Sequence, residues 1–105
     1  MIKNISVTEL KEMLDSNTSL IMVDVREKEE WDDVRIPGAQ LMPISNFMEE
    51  KQKLNDKNAK IVLICRSGPR SLRAADILEE EGYSDINNLV GGVMEWMDEG
   101  FDIEG

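Results

Sequence analysis

Apolar positions along this chain fall in short blocks that switch between helical spacing and continuous runs. Ser6-Val7-Thr8-Glu9 has the S-x-x-E pattern of a capping box, which predicts a helix over 7–15 with Leu10, Met13 and Leu14 toward the core. Asn17 and Thr18 break it, and 20–25 reads as a buried strand bounded by Asp24 and Arg26. Residues 27–33 predict a short acidic helix anchored in the core by Trp31. The turn Ile36-Pro37-Gly38-Ala39 leads into a brief strand near 40–42. Ser45 is placed to cap a helix running to about 54, and 55–59 is a polar loop. The apolar residues within 60–65 do not alternate, the pattern of a strand covered on both faces. A helix over 71–81 follows, with Ser71 as its N-cap, a stripe of Leu72, Ala75 and Leu78, and Gly82 at its end. A further strand over 86–89 meets Gly91-Gly92, read as a turn, and a last helix carries Val93, Trp96 and Met97 toward the core, where Trp31 and the scattered methionines are also expected. Strands alternating with helices predict an α/β fold with a parallel sheet covered on both faces. Ligands of such sheets bind outside the carboxyl ends of the strands, where Cys65 falls.

Composition narrows the class. The 105 residues, 41% apolar, suit a single domain over 1–105. No apolar run approaches the length of a membrane span, and the first residues lack the pattern of a secretory signal. One cysteine excludes an internal disulfide, so a reducing, cytoplasmic setting is expected. Residues 1–73 hold twelve basic and twelve acidic side chains, whereas 74–105 hold ten acids and no base, giving the net charge of −10. This acidic third reads first as a solvated face that keeps the protein soluble, and second as a docking surface for a basic partner. It argues against nucleic acid as a partner, because phosphate binding needs a basic stripe.

Candidate chemistry centres on Cys65. The chain has no histidine, which removes every Ser-His or Cys-His pair, imidazole base and histidine metal site. A thiol is mostly protonated at neutral pH. A nucleophilic Cys65 must therefore be activated by backbone amides, a helix N-terminus and guanidinium charge. The loop that follows, Arg66-Ser67-Gly68-Pro69-Arg70-Ser71, holds those parts: a glycine for close backbone approach, two hydroxyls and two arginines, with only Pro69 lacking an N–H. A lone cysteine ending an apolar strand is by default an inert core residue. A core strand does not ordinarily run on into that loop, and the loop shifts the reading to chemistry at sulfur. All five arginines (Arg26, Arg35, Arg66, Arg70, Arg73) lie at or near predicted strand ends, while the seven lysines lie elsewhere, and arginine is the better fork for an oxyanion.

The segment CRSGPRS at 65–71 resembles the active-site loop of the rhodanese-like sulfurtransferases in their single-domain form. VDVREKEEW at 23–31, IPGAQLMPISNF at 36–47 and LVGGVMEWMDEG at 89–100 resemble three further motifs of that family, in the right order over nearly the whole chain. The resemblance implies a five-stranded parallel sheet flanked by helices. It makes Cys65 the nucleophile that becomes a persulfide, residues 66–71 an anion cradle with Arg66 and Arg70 as anion-binding positions, and Asp24 and Arg26 braces near the loop. Arg35 stands where many members have histidine and adds a cation at the expected entrance. The activity implied is transfer of a sulfane sulfur from a donor such as thiosulfate to cyanide, a small thiol or a protein thiol, with no metal or organic cofactor. Two rivals stay open. A phosphatase or arsenate reductase would use a C-x5-R loop, one residue longer than this C-x4-R spacing. A persulfide relay or non-enzymatic interaction module would use the acidic third to bind a specific partner protein.

Overall fold

The computed structural model describes residues 1–67 and 69–105; the expected cradle position Gly68 lies outside the described residues. Five strands, β1 (Ile2–Ile5), β2 (Ile21–Asp24), β3 (Gln40–Leu41), β4 (Lys60–Ile64) and β5 (Asp85–Leu89), form one parallel sheet in the order β1-β5-β4-β2-β3. Around it lie α1 (Val7–Asp15), α2 (Lys28–Asp33), α3 (Phe47–Glu50), α4 (Pro69–Glu80) and α5 (Gly92–Asp98), with 3-10 turns on either side of α3. Strand β1 is absent from the sequence reading: it is an edge strand of Ile-Lys-Asn-Ile in which only Ile5 is buried, too little apolar pattern to register.

The central strand β4 explains the architecture. Ile61 and Leu63 point with Cys65 into a core closed by Ala74, Ala75 and Leu78 of α4 and by Phe47 of α3. Val62 and Ile64 point into a second core, closed by Leu10 of α1 and by Val93 and Trp96 of α5. Successive residues alternate between faces, so a strand with a core on both sides must be apolar throughout. Helix α1 begins as its capping box requires: Ser6 Oγ accepts the Glu9 amide at 3.0 Å, and Glu9 Oε1 accepts the Ser6 amide at 3.0 Å.

Several local expectations fail for physical reasons. Trp31 does not anchor α2 in the core; no residue of that helix is buried, and the Arg35 guanidinium covers the indole with its carbon 4.9 Å from the ring centroid. Ser45 caps no helix, because its hydroxyl donates to Glu27 Oε1 at 2.7 Å and a 3-10 turn over Ile44–Asn46 precedes α3. Ser71 is not an N-cap. Helix α4 already starts at Pro69, whose ring presets the helical φ and whose missing N–H costs nothing in a first turn. Its buried stripe is Ser71, Ala74, Ala75 and Leu78, and Leu72 faces solvent. Among the methionines only Met22 and Met42 are buried in the core, while Met1, Met48, Met94 and Met97 are exposed.

Candidate active site

The site grows from the carboxyl end of β4. The strand's ladder stops at Ile64, and Cys65 follows with 1% of its surface exposed. Its Sγ lies 3.3 Å from Ser71 Oγ, which α4 places two residues into its first turn. Ser71 is itself fully buried and donates to Asn88 Oδ1 of β5 at 2.5 Å. The sulfur therefore ends an apolar strand yet meets a polar group from the start of a twelve-residue helix, whose N-terminus favours negative charge.

The loop is fastened from α5. Cys65 and Arg66 give their carbonyls to the amides of Val93 at 3.0 Å and Met94 at 3.1 Å. This contact explains Gly92, which the sequence reading treated as half of a turn. A Cβ there would stand 2.3 Å from the Cys65 carbonyl oxygen and 2.6 Å from that of Arg66, and the residue sits at φ +55. No side chain fits between helix and loop.

The arginines divide into distinct roles. Arg26, 3% exposed, is clamped by the fully buried Asp24: Nε lies 3.0 and 3.1 Å from the two carboxylate oxygens and Nη2 lies 2.8 Å from Oδ2. The same guanidinium reaches the Val34 carbonyl at 2.7 Å, tying the end of β2 to the segment after α2. Arg70 turns its fork to Glu30 of α2, with Nη1 and Nη2 at 2.6 and 2.9 Å from the two oxygens. Those bonds pull the Glu30 carboxyl from its usual 4.5 down to about 2, against the desolvation that opposes the shift. The Arg70 guanidinium is raised above its ordinary value, first by the Glu30 hydrogen bonds and, less strongly, by the charges of Glu30, Cys65 and Asp24. Its fork is taken by Glu30.

Arg66 is exposed and lines a cavity of about 200 Å³ beside the loop, together with Arg26, Val34, Val93, Met94 and Met97. Cys65 is not among its lining residues. Ser67 and Pro69 are exposed as well. Arg35 does not line this cavity: it pairs through its backbone with Glu104, reaches Glu104 Oε1 at 3.3 Å and donates to the Trp31 carbonyl at 3.1 Å. Its cation is spent on the chain's last residues rather than on the entrance.

Glu30, noted only as part of the 23–31 motif, and Asn88, passed over in the sequence, both bind site residues. The signal for Glu30 was its place at i+6 from Asp24 on a short helix beside a strand end; the signal for Asn88 was the amide pair Asn87-Asn88 set between Ile86 and Leu89 in a strand. The Arg70–Glu30 pair carries a pH signature. Because Glu30 is depressed on folding, its contribution is complete above about pH 4.5 and is lost as pH falls toward about 2. Urea melts across that window should show wild type losing more stability than Arg70→Ala. An equal acid loss in both would mean that the pair does not stabilise the fold.

A family model for the rhodanese-like domain matches residues 6–99. The Bacillus subtilis protein named "Putative sulfurtransferase YtwF" is 39% identical over 95 residues, covering 90% of this chain and 90% of that protein. A protein of Allochromatium vinosum named "Sulfurtransferase" is 30% identical over 103 residues, covering 98% and 95%. The chain spans 51% of a Bacillus subtilis protein named "Putative sulfur carrier protein YrkF" and 24% of a Mycobacterium tuberculosis protein named "Probable adenylyltransferase/sulfurtransferase MoeZ". The crystal structure of a rhodanese-like domain protein from Staphylococcus aureus superposes with a TM-score of 0.84 at 34% identity, covering 98% of this chain and 99% of that one. A loop that opens on a cysteine at the carboxyl edge of a five-stranded parallel sheet, with a family match across nearly the whole chain, makes this protein a member of the rhodanese-like domain family.

Proposed function

We propose that this protein is a sulfurtransferase that carries sulfur on Cys65. The Cys65 thiolate attacks the outer sulfur of a donor such as thiosulfate. A Cys65–sulfur bond forms, the donor's own sulfur–sulfur bond breaks, and sulfite departs with the bonding electron pair. In the second half-reaction, cyanide or a thiolate attacks the outer persulfide sulfur and Cys65 leaves as thiolate, ready for another cycle. No electrons are gained or lost overall.

One observation supports this reading above the rest: Cys65 follows the apolar run Ile61–Ile64 but its Sγ is hydrogen-bonded to a buried hydroxyl in the first turn of α4. An inert core thiol needs no such partner. The sulfur is 1% exposed, so the donor reaches it through the exposed loop residues Arg66 and Ser67. Arg66 receives the donor's anionic end in this reading, while Arg70 contributes charge at longer range and holds the loop to α2. A protein acceptor would meet Met94 and Met97, each 44% exposed, close to Arg66.

The test is an intact mass of the purified protein before and after incubation with thiosulfate. A gain of one sulfur mass, reversed by cyanide or thiol, is expected. Hydrolysis of an aryl phosphate with no sulfur gain would place the loop with the oxyanion-binding phosphatases instead.

A further inference from the structure

Two adjacent asparagines in β5 are buried, Asn87 with 1% and Asn88 with 3% of its surface exposed. Asn87 serves the sheet: its Nδ2 donates to Asp85 Oδ1 at 3.0 Å and to the Ile61 carbonyl at 3.2 Å. Asn88 faces the sulfur's neighbour. Its Oδ1 accepts the Ser71 hydroxyl at 2.5 Å and its Nδ2 donates to Asn4 Oδ1 at 3.1 Å. With Ser71 Oγ 3.3 Å from Cys65 Sγ, a polar chain runs from the sulfur to Asn4, which is exposed on β1.

A serine hydroxyl carries one proton. With that proton directed at Asn88, Ser71 offers the sulfur a lone pair, which suits a thiol that donates S–H. A thiolate has no hydrogen to give and requires donors. A carboxamide presents an acceptor on one side and donors on the other. Turning Asn88 over sets Nδ2 on Ser71 Oγ, releases the Ser71 proton toward sulfur, and hands Oδ1 to Asn4, whose exposed amide can turn in water. We propose that Asn88 is a positioning residue whose amide orientation decides whether Ser71 accepts from the Cys65 thiol or donates to its thiolate. Only the S–H bond breaks, and its proton passes to solvent.

The charges around the sulfur are held by other pairs. Arg70 of α4 is forked to Glu30 of α2, Asp24 and Arg26 are clamped to each other at the end of β2, and Arg66 lies exposed in the loop. From α5 the loop meets the Val93 and Met94 amides. Asn88 is neutral, so its reorientation moves hydrogen bonds without burying a charge. A row of donors ending on an anion strengthens each member.

This inference rests on Cys65 as the nucleophile, but thiol titration reads the sulfur directly, so its failure leaves sulfur loading as a separate test. Asn88→Asp keeps the shape and, once ionised, offers acceptors only, pinning the Ser71 proton away from sulfur. The Cys65 titration midpoint, read by thiolate absorbance and by the pH dependence of alkylation, should rise by about one pH unit, the worth of one hydrogen bond. In a Ser71→Ala background the same substitution should move it by less than half as much. An equal shift in both backgrounds would show the new charge acting through space and would overturn the proposal, as would no shift at all. Should Asn88→Asp fail to fold, the wild type decides: the Asn88 side-chain amide resonances should titrate with the sulfur's midpoint while those of Asn87 stay still, and a flat Asn88 profile overturns it.

Discussion

Cys65→Ser should lower sulfur transfer at least about 10³-fold and abolish the mass gain with thiosulfate. A serine alcohol is not deprotonated near neutrality, and an oxygen nucleophile has no route to a persulfide. The substitution is chosen because the fold should survive it: serine is nearly isosteric and can keep the 3.3 Å contact with Ser71 Oγ. Any loss of turnover is then a loss of chemistry. Since the described chain holds no other thiol, no neighbouring residue can take over. Substantial residual turnover in Cys65→Ser, with circular dichroism showing a native fold, would remove Cys65 from the reaction.

The largest stability effect is expected from Asp24→Ala. The Asp24 carboxylate holds three guanidinium contacts of Arg26 at 2.8 to 3.1 Å and also accepts the Arg26 amide at 3.0 Å, with both residues almost wholly shielded from water. Deleting it strands a buried cation, which costs about 3–5 kcal/mol. For a domain whose whole stability is of order 5–15 kcal/mol, that is a large fraction. The damage should spread, because the same arginine holds the Val34 carbonyl and thereby the end of α2, which presents Glu30 to Arg70. Replacing both partners together, Asp24→Ala with Arg26→Met, should cost less than Asp24→Ala alone, since no unpaired charge remains. Urea denaturation of the three variants checks this. A loss below about 1 kcal/mol in Asp24→Ala would mean that water reaches Arg26.

What the sequence revealed depended on how local the physics was. The Ser6–Glu9 capping box and the unbroken apolar run of β4 are read from neighbouring residues, and both appear where expected. The loop after β4 stood out because two arginines and two serines follow an apolar run within six residues. Contacts between distant segments left fainter marks. Strand β1 owes its existence to pairing with β5 across most of the chain, Ile2 opposite Ile86 and Ile5 opposite Leu89. Arg70 looked like an anion clamp because nothing in its neighbourhood announces that Glu30, forty residues earlier, takes its fork. The expected core role of Trp31 failed for the same reason, as the arginine that covers it is itself fixed by Glu104 near the other end of the chain.

The position of β4 in the middle of the sheet also bears on how the protein is born. Its neighbours are β2, made earlier, and β5, made later, and the amides that fasten the Cys65 and Arg66 carbonyls belong to Val93 and Met94. A chain leaving the ribosome N-terminus first therefore brings its thiol out before β5 and the amides of Val93 and Met94 have emerged to complete its surroundings. Until then the sheet around the cysteine lacks its later-made neighbour, and the thiol is more open to oxidants than in the folded domain.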